Sequence, residues 1–199
     1  MRYIKEFVEE RIEINKSIFV GLLYPLEKIE DIETFLLDAK TKYPKATHYC
    51  QASIFGVSGE QQTASDDGEP SRTAGVPMLE VLKHHDVTNV LLIVVRYFGG
   101  IKLGAGGLVR AYSKASSAVI QKASFYEKIT VPTYKLTFSY ENMQKIDKHL
   151  ENDCNIVEKV FLENVTYKVT VHTNNKNIIE EIKYLLINFE ELDDETLFV

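Results

Sequence analysis

Residues 89–112 read NVLLIVVRYFGGIKLGAGGLVRAY. Within them Val90, Leu91, Leu92, Ile93, Val94 and Val95 form an unbroken apolar run. A bilayer span takes about 20 such residues, and the run is too β-branched for a typical helix. It therefore predicts a strand buried on both faces. Gly99, Gly100, Gly104, Gly106 and Gly107 follow, then Leu108, Ala111, Tyr112, Ala115 and Val119 at helical spacing. A central strand thus feeds a glycine-rich loop that opens a helix. Arg96 and Arg110 flank the loop and Lys102 lies inside it. That arrangement suits an anion held on backbone N–H groups at a helix start.

Two standard phosphate loops fail on spacing. Gly99 and Gly104 are separated as in a P-loop, but Ala105 and Gly106 stand where Lys and Ser/Thr are required. A dinucleotide fingerprint opening at Gly104 needs a third small residue where Val109 stands. The glycines are equally explained by positive φ and close helix–strand packing. Arg96, Tyr97 and Phe98 alternate across the strand end, so Tyr97 faces away from its neighbours. An exposed ring beside Arg96, Lys102 and Arg110 suits base stacking and phosphate contact. Equally, the ring is core and the arginines pair with Asp66, Asp67 or Glu69.

Those three carboxylates lie in a turn-forming segment, SDDGEPSRTAG, at 65–75. They invite a hard-cation or acid–base reading, against which stands a capped, solvated turn before a helix. His48 and Cys50 share one strand face, as a base and a thiol would, although a thiol buried on a strand is more often inert. No metal or cofactor motif is complete, and none is expected.

The segments DDGEPSRTAGVPMLEVL and NVLLIVVRYFGGIKLGAGGLVRAY together resemble the signature of the IMPACT family in its bacterial YigZ-type branch. Arg72 stands where the family commonly has glycine, and Val95 where threonine is frequent. The resemblance implies an α+β protein of two domains. The first, 1–129, is expected to be a βαβ domain resembling domain IV of elongation factor G. The second, 130–199, is expected to be ferredoxin-like and to resemble that factor's domain V. It also implies a translation-associated module, since eukaryotic relatives regulate translation. The expected partners are RNA, the ribosome or a translation factor. The expected contact surface is Arg72, Arg96, Tyr97, Gly99, Gly100, Lys102, Gly104, Gly106, Gly107 and Arg110. The alternative is a small hydrolase or phosphate-ester enzyme using Asp66, Asp67 and Glu69.

Composition sets limits on these readings. With 45% hydrophobic and 26% charged residues the 199-residue chain is of ordinary globular type. No apolar run reaches membrane length and no leader pattern opens the chain, so a cytoplasmic protein with no membrane contact is expected. Cys50 and Cys154 show no metal or redox spacing and are expected as free thiols. The net charge of −6 is uneven: residues 130–199 hold 13 acidic and 7 basic groups, whereas 70–112 hold two acidic and five basic. A generally basic nucleic-acid binder is excluded, and a local basic patch is not.

Along the rest of the chain, a strand pair is expected to turn at Asn15–Lys16, followed by a helix over 29–43 and a strand over 47–55. Residues 56–68 are polar and predict a surface loop, and 76–85 a helix. Pro132 marks a boundary where the pattern restarts. The order βαββαβ then follows, with a helix carrying Ile178, Ile182, Leu185 and Phe189 and a last strand over 196–199.

Overall fold

The apolar run forms a strand, Val90–Tyr97, buried at every residue through Arg96. In this computed structural model, which describes residues 1–172 and 177–198, it lies at the middle of the first of two units, 1–127 and 128–199. The first unit contains β1 (Arg2–Ile4), β2 (Val8–Ile14), β3 (Ser17–Pro25), α1 (Asp31–Lys42), β4 (His48–Phe55), β5 (Gln61–Ser65), α2 (Gly75–His84), β6 (Val90–Tyr97) and α3 (Gly104–Lys122). Its sheet has the order β2-β3-β6-β4-β5 with every pair antiparallel. Since β3 and β4 both run antiparallel to β6, they are parallel to one another. Thus β3, α1 and β4 form a crossover with β6 inserted between its strands. The order is longer than the βαβ expected.

Strand parity explains why β6 needs no polar face. Val90, Leu92 and Val94 join Phe19, Cys50, Ala52 and Ile54 beneath α2 and α3, where Met78, Leu82, Leu108, Tyr112 and Val119 pack on them. Leu91, Ile93 and Val95 join Val20, Leu22 and Tyr24 on the opposite face, covered by Ile32, Phe35, Leu36 and Ala39 of α1. An antiparallel sheet usually leaves one face wet; here helices cover both. Parity continues past the apolar run, so Arg96 emerges under α3 and Tyr97 on the α1 side.

The β2–β3 hairpin turns at Asn15 and Lys16, both with positive φ (47° and 63°), the backbone of a two-residue hairpin. Residues 56–68 are not all loop: Gln61–Ser65 pairs with β4 as the sheet's edge strand. Its side chains are exposed up to the half-buried Ser65, so no apolar alternation announces it.

The second unit follows βαββαβ: β7 (Phe125–Phe138, entering from the first unit), α4 (Met143–Leu150), β8 (Cys154–Phe161), β9 (Val165–Val171), α5 (Ile178–Ile182, extended by a 3-10 turn to Leu185) and β10 (Asn188–Phe198). The pairings β10–β7, β7–β9 and β9–β8 are all antiparallel. Leu136, Phe138, Tyr167 and Val169 from the strands meet Ile146, Leu150, Ile178 and Ile182 from the helices in one core.

Two expectations are corrected here. Pro132, expected as a boundary mark, lies within β7 just past the division between the units, opposite a bulge between Leu192 and Glu195 in β10. A proline lacks the ladder N–H, and a bulge is where a sheet tolerates that. Phe189 belongs to β10 and not to the preceding helix, and the last strand begins at Asn188. Its expected end at Val199 lies outside the described residues. Among the described residues no helix is long and apolar enough to cross a membrane.

Candidate functional site

The charged cluster of the first unit forms where β4 begins and β6 ends beneath α3. His48 and Arg96 are cross-strand partners, and parity turns both toward the helix face. Glu69 reaches them from the segment between β5 and α2. Its Oε1 accepts from Arg96 Nη1 at 2.5 Å and from the Tyr112 hydroxyl at 2.8 Å. The Arg96 and Glu69 side chains are 6% and 4% exposed, so this is a buried ion pair. Arg96 Nε, also buried, has no hydrogen-bond partner among the described residues. The Arg96 guanidinium lies 5.5 Å from the Phe19 ring centre and 5.6 Å from that of Phe98.

His48 is held by its other nitrogen. Nδ1 lies 2.7 Å from the Asp67 carbonyl oxygen, which can only accept, so Nδ1–H donates and Nε2 faces Glu69 Oε2 at 3.8 Å. Cys50 donates to the Asp66 carbonyl at 3.0 Å and lies 3.3 Å from the Tyr112 hydroxyl. Burial foremost, with the neighbouring carboxylates, pushes its thiol up to about 12, against the opposing effect of the contact with the Tyr112 hydroxyl. At neutral pH it is a packed thiol and not a nucleophile. Cys154 is likewise free and buried. Burial foremost, then Cys50 and Glu69, raises the Tyr112 phenol and keeps it a donor.

The acidic turn is engaged mainly by backbone. Asp66 Oδ1 accepts from the N–H groups of Ala74 (2.9 Å) and Gly75 (2.8 Å), and Oδ2 from that of Arg72 (2.7 Å). It therefore caps α2 from a distance, satisfying donors that a helix start leaves orphaned. Burial opposes its ionisation, but the three N–H groups outweigh this and hold the carboxyl below its ordinary value. Asp67 Oδ2 accepts from Tyr49 N at 2.6 Å. Among the described residues no group of three or more His, Cys, Asp or Glu is placed to hold a metal ion. Arg72 adopts φ 62°, the left-handed region glycine enters without cost.

Above the ion pair lies a cavity of about 290 Å³. Thr47, His48, Arg96 and Phe98 line it from the strand ends, and Glu69 and Pro70 from the segment before α2. Lys102, Leu103, Gly104, Ala105 and Leu108 line it from the loop and the start of α3. Among the described residues no side chain caps α3. Gly104 opens the helix at φ 69°, and a Cβ there would meet nothing within 4 Å. Gly99 is different: a Cβ would fall 2.0 Å from the Lys16 backbone, so its role is close packing of the loop against the β2–β3 turn.

Of the residues proposed from sequence, Glu69, Arg96, Lys102 and Gly104 meet at this cavity. Asp66 and Asp67 buttress it from below. Tyr97 does not reach it, because its ring lies on the α1 side and its hydroxyl donates to the Pro44 carbonyl at 3.1 Å. Gly106 and Gly107 lie in the first turn of α3, and Arg110 is exposed farther along it. Among the described residues neither Lys102 nor Arg110 forms a salt bridge. Phe98 and Tyr112 join the site without having been among the residues proposed from sequence, and His48, weighed there only as a base beside Cys50, joins it next to Glu69. The alternation that puts Tyr97 on one face puts Phe98 with Arg96, and it was the available signal.

The Impact N-terminal domain model matches residues 15–120, which include α1, α2, most of α3 and this cavity. An IMPACT family member of Bacillus subtilis, YvyE, is 37% identical, covering 89% of this chain and 82% of its own. YigZ of Escherichia coli is 36% identical, covering 68% and 67%. A solved structure, described as that of a hypothetical protein, is 27% identical with a TM-score of 0.61, covering 98% of this chain and 97% of its own. The chain belongs to the IMPACT family, in its YigZ-type branch.

Proposed function

We propose that the protein is a translation-associated regulatory module that contacts RNA, the ribosome or a ribosome-bound factor through the surface at the start of α3. Family membership supports the translational part, because the resemblance ties eukaryotic members to translational control. One structural observation carries the surface. Arg96 is buried and neutralised by Glu69, whereas Lys102 and Arg110 stand exposed, without salt bridges among the described residues, beside an uncapped helix start. In this reading 1–129 is the IMPACT-type domain, akin to domain IV of elongation factor G. Residues 130–199 form a ferredoxin-like domain akin to domain V, which the βαββαβ order and antiparallel pairing support. The protein acts in the cytoplasm as a binding module; of the three carboxylates the hydrolase reading would use, Asp66 and Asp67 are taken up by backbone N–H groups.

The test is co-sedimentation with ribosomes and binding of single-stranded RNA, each across a salt series, for wild type and Lys102→Ala/Arg110→Ala. Removing one cation that meets a phosphate should flatten the salt slope by about one unit, so the double variant should flatten it by about two. Identical slopes for the two folded proteins would remove this surface from the function.

A further inference from the structure

The cavity under the loop holds more chemistry than a phosphate contact requires. Its charged floor is built: Arg96 is more than nine-tenths buried, and its Nε has no partner among the described residues. The start of α3 supplies unpaired N–H donors and the positive end of a 19-residue helix, with Lys102 on the same lining. Glu69 also lines the cavity, however. Its Oε1 is occupied by Arg96 and Tyr112, while among the described residues Oε2 accepts no hydrogen bond and has His48 Nε2 only at 3.8 Å. A bare phosphate dianion would face that carboxylate. A ligand matched to both ends carries an anion for Lys102 and α3, and a hydroxyl or amino donor for Glu69. Phe98 adds the third feature: it lines the cavity beside Lys102 and is 47% exposed. Rings so placed beside cations are stacking platforms for bases. The volume of about 290 Å³ is at the lower end for small-ligand sites, enough for one small ligand and not several.

We infer that this cavity binds one nucleoside monophosphate unit, with its phosphate at Lys102 and the start of α3, its sugar or base donors at Glu69 and its base against Phe98. This deepens the proposed RNA-contacting surface and rests on it in part. The unit is either a free mononucleotide or one nucleotide of an RNA strand, and the two sources share this recognition.

Titration calorimetry with AMP, GMP, CMP and UMP, and with ribose 5-phosphate and inorganic phosphate for comparison, tests the inference. At least one mononucleotide should bind measurably and more tightly than ribose 5-phosphate or phosphate. Phe98→Ala should weaken it about tenfold, the scale of one stacked base, while leaving the weaker ribose 5-phosphate affinity unchanged. Lys102→Ala should weaken all the phosphate-bearing probes. Displacement of the bound mononucleotide by a short single-stranded oligoribonucleotide identifies RNA as the source; failure of the oligoribonucleotide to compete identifies the free nucleotide. No mononucleotide binding up to millimolar concentration, or equal affinities for mononucleotide and inorganic phosphate, would overturn the inference. If RNA or ribosome binding still falls in Lys102→Ala/Arg110→Ala in that case, the surface reading stands without the cavity. If mononucleotides bind while the RNA and ribosome salt slopes ignore those substitutions, the cavity stands and the surface reading fails. Unchanged circular dichroism spectra of the variants separate failed binding from failed folding, and Phe98→Leu, which keeps an apolar side chain but no aromatic face, should repeat the Phe98→Ala result.

Discussion

Arg96 and Lys102 stand at the two ends of one short loop, and the fold treats their charges in opposite ways. Arg96 closes a buried strand, so its guanidinium lies beneath α3 with Glu69, His48 and Tyr112 around it. Lys102 precedes the helix on the solvent side, with no carboxylate bridged to it among the described residues. The same kind of charge is structural at one end and available for a ligand at the other. Depth decides the difference, because water screens an exposed cation within about 8 Å at physiological salt, while a buried one must be paired or suffer a large desolvation cost.

The sharpest way to break this contrast is at Arg96. Arg96→Met should leave Glu69 buried without its cation and cost about 3–5 kcal/mol, read as a lower urea midpoint. Adding Glu69→Gln, which still accepts from Tyr112, should recover most of that loss. A single Arg96→Met protein as stable as wild type would mean that the pair holds nothing in place.

Asp66 comes next. Asp66→Ala strips an acceptor from three N–H groups and should cost about 2 kcal/mol, between a helix cap and a set of charge-assisted hydrogen bonds. The sign of its pH dependence follows from the folded carboxyl lying below its ordinary value of 3.8. Its contribution is full above that value and is lost as pH falls through the folded one. Wild type should therefore lose stability more steeply than Asp66→Ala below pH 3.8, and parallel acid limbs would assign Asp66 a neutral role. A smaller effect is expected from Tyr112→Phe, which deletes one donor to a Glu69 oxygen that keeps Arg96. About 1 kcal/mol should go, with the circular dichroism spectrum unchanged; a loss as large as that of Arg96→Met would make the phenol, not the ion pair, the centre of the cluster.

How much of this was legible depended on whether burial leaves a periodic trace. The run Val90–Val95 did, because helices on both faces leave no polar residue in it. The alternation of His48, Cys50, Ala52 and Ile54 did as well. The edge strand Gln61–Ser65 did not, since its side chains meet mainly water and only backbone hydrogen bonds define it. Phe189 was drawn into a helix by its spacing from Leu185, where the chain turns extended from Leu186. The site divided in the same manner. The loop and its cations stood together in sequence, whereas the Glu69–Arg96 pair spans 27 positions. Pairing of the arginines with the acidic turn was one of two open possibilities, and only the fold selects Glu69 among three neighbouring carboxylates. The other two are turned onto backbone N–H groups, a difference that adjacent acidic residues do not display as letters.

The smallest expected effect tests the exposed end of the comparison. Lys102 bridges to no carboxylate among the described residues, and its side chain is not part of the hydrophobic cores. Lys102→Ala should therefore change unfolding free energy by less than about 0.5 kcal/mol, as substitutions away from buried features do. Its neighbourhood has little to lose in any case, because a Cβ built on Gly104 meets nothing within 4 Å and, among the described residues, the α3 start carries no side-chain cap. Removing a cation near the positive end of a helix should, if anything, relieve a slight repulsion. The measurement is urea denaturation of Lys102→Ala beside Arg96→Met under one set of conditions. A destabilisation of Lys102→Ala approaching that of Arg96→Met would show that both ends of the loop are structural, and the contrast between the buried and the available charge would disappear with it.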